Sequence, residues 1–314
     1  MPRILFIVLI LLSIIWGGSF YFIKILLEDF GPWTIAFLRS SFGLVTIVLI
    51  MLILRKPFEL RKMPWVPLTI MALINTAIPW TFIAFSETRL SSSMASVLNA
   101  TTPLWTIIVG IVFFSAATNR MQWLGIGMGL IGLIILLDIS PVHIISVDLL
   151  GFVCMILATL CYAFGSQLSK RLLKGLSMYQ ITFCTLLIGA LGSGSFALSL
   201  EYISISNLIS WTNIAVLIGL GVFGSGIAYI LFYYLVQNGS AEFATMVTYL
   251  VPGTAIIWGY TLLNEQVSWS LLVGLVFVLA GVFLSSRKQP DKVVDDPLLK
   301  NQKLKKQKAQ TSKL

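Results

Sequence analysis

The chain has 314 residues, of which 58% are hydrophobic and 11% charged, with a formal net charge of +9. A water-soluble domain carries roughly 25% charged residues, so this composition excludes the pair of soluble domains that length alone would suggest. Nor does the basic balance point to nucleic acid, because the segment from Arg287 onward, with nine basic and three acidic residues, supplies +6 of it.

Apolar runs long enough to cross ~30 Å of hydrocarbon predict ten spans, at 4–27, 33–54, 66–86, 93–114, 121–138, 149–169, 178–200, 213–236, 241–262 and 268–286. The first run continues to about Leu27, too long for the apolar region of a signal peptide, and no small-residue cleavage pattern closes it. It is expected to be a retained span. Cys154, Cys161 and Cys184 all fall inside spans at no metal-like spacing, so they are expected to pack as small apolar residues. Connections are short, which places function within the spans.

One set of loops and ends holds Arg3, the group Arg55, Lys56, Arg61 and Lys62, then Arg120, the group Lys170, Arg171 and Lys174, and the nine basic residues of the tail. The opposite set holds Arg89 alone, while Lys24 and Arg39 lie within spans. Basic loops are retained on the cytoplasmic side, so both termini are expected there. Residues 287–314 are expected to be a disordered basic cytoplasmic tail, drawn to anionic lipid by about 1 kcal/mol per basic residue near the surface.

The stretch from Ser91 to Phe114 recurs as Ser240 to Leu263. An offset of 149 relates Pro103 to Pro252, Ser91 to Ser240, Gly110 to Gly259, Thr76 to Ser225 and Trp80 to Tyr229. Further upstream, an offset of 146 relates Trp16 to Tyr162 and Lys24 to Lys170. Two repeats follow, residues 1–138 and 139–286, of five spans each, and an odd number inverts the second relative to the first. The expected fold class is an all-α integral membrane protein with ten transmembrane helices in two inverted five-helix repeats, an architecture of secondary transporters.

A proline within a helix leaves the carbonyl four residues earlier without its partner, here those of Asn99 and Thr248. Pro103 and Pro252 fall near the bilayer midplane, about 15 Å into their spans at ~1.5 Å per residue, and are candidate hinges. Ser92, Ser96, Asn99 and Pro103 share one helix face, repeated as Thr245, Thr248 and Pro252. A second polar and aromatic stripe comprises Ser225, Tyr229, Tyr233 and Gln237, with Thr76 and Trp80 as its counterpart. These faces are assigned to a central substrate cavity, since intramembrane polar groups avoid lipid, and Trp16, Tyr162 and Trp258 are candidates for its apolar walls.

Arg39 lies about two turns inside its span, where a charge costs at least ~2.5 kcal/mol. Glu87 and Glu265 are its candidate partners, and the same two glutamates are the candidates for ion coupling. Lys24 is expected to pair with Glu28 one turn on. His143 falls in a predicted outer loop and makes a poor proton relay. The G-x-G-x-x-G matches at Gly127 to Gly132 and Gly219 to Gly224 lie inside spans rather than between a strand and a helix, so close helix packing explains them better than a nucleotide. No metal site or cofactor is expected.

WGGSF at Trp16 to Phe20 with Lys24, PWTIAFLR at Pro32 to Arg39, and the paired small-residue and proline spans resemble the EamA type of the drug/metabolite transporter superfamily. The resemblance covers about residues 4–286 and includes the spacing from Glu265 to Gly274; the position matching Glu265 in the first half is Ala116, where that family often has a glutamate. It implies a secondary transporter that moves a small metabolite, amino acid or drug-like molecule across the cytoplasmic membrane by alternating access. The implied partners are a small-molecule substrate, membrane lipid and a candidate coupling ion. The alternatives are a non-transporting membrane scaffold and an integral membrane enzyme; the enzyme would need a nucleophile or acid–base set at membrane depth, and none is visible.

Overall fold

The computed structural model describes residues 3–116, 118–138, 147–172, 176–239 and 241–286, and every regular element among them is helical. In order these are α1 (Arg3–Leu26), α2 (Pro32–Ile53), α3 (Trp65–Ala72), α4 (Ile78–Glu87), α5 (Ser92–Asn99), α6 (Thr102–Phe114), α7 (Arg120–Leu136), α8 (Leu149–Leu172), α9 (Met178–Leu200), α10 (Ile205–Leu208), α11 (Trp211–Leu217), α12 (Ala228–Asn238), α13 (Ala241–Thr245), α14 (Val247–Leu262) and α15 (Trp269–Ser286). Among the described residues, eight helical runs are long and apolar enough to cross a membrane. The 17 residues of α7 form a shorter apolar helix, and α14, with Pro252 inside it, has 16.

Three of the runs are compound. A π-helical segment, Leu73–Ala77, joins α3 to α4, and another, Ile218–Ile227, joins α11 to α12. Such segments widen the helix locally and are frequent at functional sites. The third run, Ser92–Phe114, breaks at Ala100 and Thr101 between α5 and α6, which puts Pro103 in the first turn of α6 rather than in a helix interior. There a proline costs no hydrogen bond. The carbonyl of Asn99, expected to be left free, accepts from the Thr102 hydroxyl at 2.7 Å. In the second half the break falls earlier, at Met246 between α13 and α14, and Pro252 stays inside the helix.

Helix ends are tied by carboxylates from distant loops. Pro32 has no N–H to offer, and the next two amides of α2, on Trp33 and Thr34, donate to Glu201 at 3.0 and 2.8 Å, joined by the Thr34 hydroxyl at 2.7 Å. A carboxylate at a helix N-terminus gains from both the free N–H groups and the helix dipole. Glu201 comes so close that a Cβ on Gly31 would lie 2.3 Å from its carboxyl carbon, so a larger residue at the N-cap position would push the carboxylate away from the amides it accepts from. Glu265 does the same for α5, accepting from Ser92 N at 2.6 Å, Ser93 N at 3.0 Å and Ser93 Oγ at 2.6 Å.

Lys24 does not pair with Glu28. Its ammonium donates to the backbone carbonyls of Glu87 at 2.6 Å and Leu90 at 2.9 Å, at the C-terminal end of α4, where a cation meets the negative end of the dipole. The turn between α4 and α5 is thus held by Lys24 on one side and Glu265 on the other. Asp148 opens α8, accepting from Gly151 N at 2.9 Å, and lies 3.2 Å from Arg89. The Gly151 amide, with Arg89 as a smaller contribution, holds its carboxyl below the usual aspartate range.

Helix α7 packs closely against α15. A Cβ on Gly281 would lie 2.6 Å from the carbonyl oxygen of Gly125 and the amide nitrogen of Gly129, and one on Gly132 would meet the backbone of Val278 at 2.9 Å. Small residues let backbones approach in this way where no hydrophobic force drives helices together. The first dinucleotide-like match therefore sits in this crossing. Apolar side chains such as Ile7, Leu52, Val112, Phe113, Leu191 and Val276 cover the exterior, as a lipid-facing surface requires.

Candidate functional site

Helices from both halves of the chain enclose one cavity of about 300 Å³. Of the residues singled out in the sequence, Trp16, Arg39, Trp80, Ser96, Asn99, Pro103, Tyr162, Tyr229, Thr248 and Pro252 all line it. Trp16 and Tyr229 stand edge to face at 6.4 Å between ring centroids, and the Trp16 indole N–H donates to the carbonyl of Gly224 at 3.2 Å. That carbonyl belongs to the π-helical segment, whose irregular backbone supplies an acceptor facing inward.

Arg39 is buried, 8% exposed, yet neither Glu87 oxygen accepts a hydrogen bond from it, and Glu265 is bonded to α5 instead. Its guanidinium lies 4.0 Å from the centroid of the Trp80 ring, and Nε donates to Ser225 Oγ at 2.9 Å. A desolvated cation over an indole face is worth about 2 kcal/mol, which offsets part of the burial cost. Asn99 brings the second polar feature: its side-chain oxygen is buried without a hydrogen-bond partner.

Several expected members stand elsewhere. Thr76 is buried beside α9, its hydroxyl shared between the carbonyls of Ala72 and Thr185, and does not line the cavity. Trp258 stacks on Tyr21 at 5.4 Å and borders a separate, smaller pocket of about 130 Å³ with Phe22 and Phe223. Glu265 is occupied in capping α5. Glu87 is fully buried, and neither carboxyl oxygen has a hydrogen-bond partner; it too lies outside the lining. The side chains of Tyr233 and Gln237, His143 and the tail 287–314 lie outside the described residues.

Ser19, Thr102 and Gly224 line the cavity without having been singled out. Ser19 was hidden because it sits within the apolar, glycine-rich WGGSF stretch, although its one-turn spacing from Trp16 signals a shared face. Among the described residues no group of three or more His, Cys, Asp and Glu side chains is placed to hold a metal.

A helical bundle of membrane-crossing length that encloses an aromatic and polar cavity between its helices is a multi-pass membrane protein built to admit a small molecule. The chain belongs to the EamA-like transporter family, which matches residues 3–138 and again residues 149–287; it is a membrane transporter in that general sense. It is similar to the uncharacterized inner membrane transporter YedA of Escherichia coli, 27% identical over 305 residues that cover 95% of this chain and 96% of that one. Similar too is the uncharacterized transporter YoaV of Bacillus subtilis, 24% identical over 88% of this chain and 95% of that one. One crystal structure shares the fold with a TM-score of 0.65 at 13% identity, covering 89% of this chain and 94% of the other.

Proposed function

We propose that the protein is a secondary transporter that moves a small metabolite, amino acid or drug-like molecule across the cytoplasmic membrane by alternating access. One observation carries this: residue pairs related by the repeat offset, Asn99 with Thr248, Pro103 with Pro252, Trp80 with Tyr229 and Trp16 with Tyr162, contribute both members to the same cavity. A site composed of equivalent positions from two inverted halves can open to either side by exchanging their conformations.

In this proposal ten spans form two five-span repeats, 1–138 and 139–286. Support comes from the two separate family matches and from the π-helical segments, which fall at corresponding places in the two halves. The helix contacts also occur in exchangeable sets: α1 packs on α14 as α6 packs on α8, and α2 packs on the Ile218–Ile227 segment as α9 packs on Leu73–Ala77. Loops rich in Lys and Arg put both termini in the cytoplasm, with the basic tail near anionic lipid. Pro103, just after the break at Ala100 and Thr101, and Pro252, inside α14 after the break at Met246, are the proposed hinges.

Glu87 is the proposed coupling residue. Its carboxyl group is enclosed, and the charged groups that face it are Lys24 from α1, Glu265 from the loop before α15 and Arg39 from α2. A carboxyl without a partner in this position gains or releases an ion only when the bundle opens a path to water.

The test is flux into liposomes reconstituted with purified protein. Asn99→Ala, Trp80→Ala and Tyr229→Ala should each still insert and reduce uptake at least about tenfold, the loss of one ~1.4 kcal/mol contact; Trp80→Ala, which also removes a buried ring from under Arg39, should melt lower than the parent. Parental rates in all three would remove the cavity as the transport site.

A further inference from the structure

Resting on the reading of the central cavity as the substrate site, we propose that its cargo is a small organic anion: a carboxylate that carries a hydrogen-bond donor on an apolar body. Arg39 places a full positive charge in the cavity wall, and among the described residues no Asp or Glu lines that cavity. Among the described residues its contacts are the Ser225 hydroxyl at Nε and the face of Trp80, so the N–H groups of its two terminal nitrogens have no protein partner. A guanidinium is a rigid planar fork that matches a carboxylate with two parallel hydrogen bonds. A cationic ligand would be repelled there, and a neutral one would leave the buried charge uncompensated.

The rest of the wall sets the body and the second polar group. Trp16, Trp80, Tyr162 and Tyr229 present ring surfaces, with Ile23 and Ile83 between them, which suits a flat or branched apolar group. The unpartnered side-chain oxygen of Asn99 is an acceptor and needs an N–H or O–H from the ligand. The one cation among the described lining residues matches one negative charge. The volume of about 300 Å³ stands at the lower end of the ~300–1,000 Å³ found for ligand pockets, below drug size.

The test uses purified full-length protein and 2-hydroxy acids with phenyl, indolyl or isobutyl bodies, each beside its uncharged amide and its amine counterpart. Melting temperature is followed throughout, with quenching of the cavity tryptophans as a second readout for the bodies without an indole. At least one acid should raise the melting temperature and quench the fluorescence, while its amide and amine do neither. Arg39→Gln should weaken that binding on the order of 10- to 100-fold, the range for a hydrogen bond to a charged group. Asn99→Asp, which adds a repelling negative charge, should weaken it as well, and unliganded melting temperatures identify any variant that fails to fold. The anion assignment is overturned if an amide or amine binds better than its acid, if Arg39→Gln binds the acid with parental affinity, or if no acid binds. Binding without flux in liposomes would instead overturn the transporter reading and leave the anion site standing.

Discussion

Arg39 and Glu87 are both buried ionisable side chains, and the fold treats them in opposite ways. Arg39 is given an indole face and a hydroxyl and is turned towards the cavity; Glu87 is given no hydrogen-bond partner at all. The expense of Arg39 was legible in the sequence, because a charge two turns inside an apolar run demands an explanation. Its partner was not, since Ser225 lies 186 positions away. The Lys24 expectation failed for a related reason. Spacing along one helix favoured Glu28, but a pair of fixed carbonyls at the end of α4 is pre-organised and partly enclosed, whereas an ion pair at the surface is worth little. For Glu87 the expected outcome is specific: Glu87→Gln should abolish the acceleration of uptake by an imposed pH gradient while leaving exchange of labelled for unlabelled substrate near the parental rate. A gradient response unchanged in the variant would exclude Glu87 from coupling.

At the level of elements, the positions of the long helices could be read from hydropathy, and their irregularities could not. Nothing in local composition separates Leu73–Ala77 from an ordinary helical turn, and the break after Asn99 depends on Thr102 capturing a carbonyl that a proline rule alone leaves open. The glycine-rich matches were legible as packing because a nucleotide fingerprint requires a strand before it. Within the first match the glycines are unequal. A Cβ on Gly127 would meet nothing within 4 Å, while the partner-helix Gly281 has α7 backbone atoms 2.6 Å from its would-be Cβ. Gly281→Ala should therefore destabilise the protein by about 1–3 kcal/mol, as overpacking does, read as a lowered melting temperature in detergent. Gly127→Ala should be neutral or stabilise by up to ~1 kcal/mol through helix propensity. Equal effects from the two substitutions would contradict the close crossing.

For the whole molecule, composition and hydropathy carried the all-helical, membrane-spanning character, because a bilayer restricts the chain to helices of one length. The 149-residue offset also relates residues that line one cavity, Asn99 with Thr248 and Trp80 with Tyr229, which is what the proposed duplication would produce. Departures from equivalence are what the offset hid. Glu265 ties the start of α5 through three hydrogen bonds, and its counterpart in the other half is Ala116, which has no acceptor to offer. In the proposed alternating-access cycle, in which each half takes the other's shape, a carboxylate strap that the Ala116 side chain cannot reproduce means that the two end states differ in free energy. The empty protein then rests unevenly, spending most of its time open to one side, with substrate working against a standing preference. Glu265→Gln keeps the size of the strap and loosens its grip, so it should even out the resting distribution. Labelling of single cysteines placed at either mouth of the cavity, compared in parent and variant, reads that balance directly; an unchanged ratio would mean that the strap holds the helix but not the state.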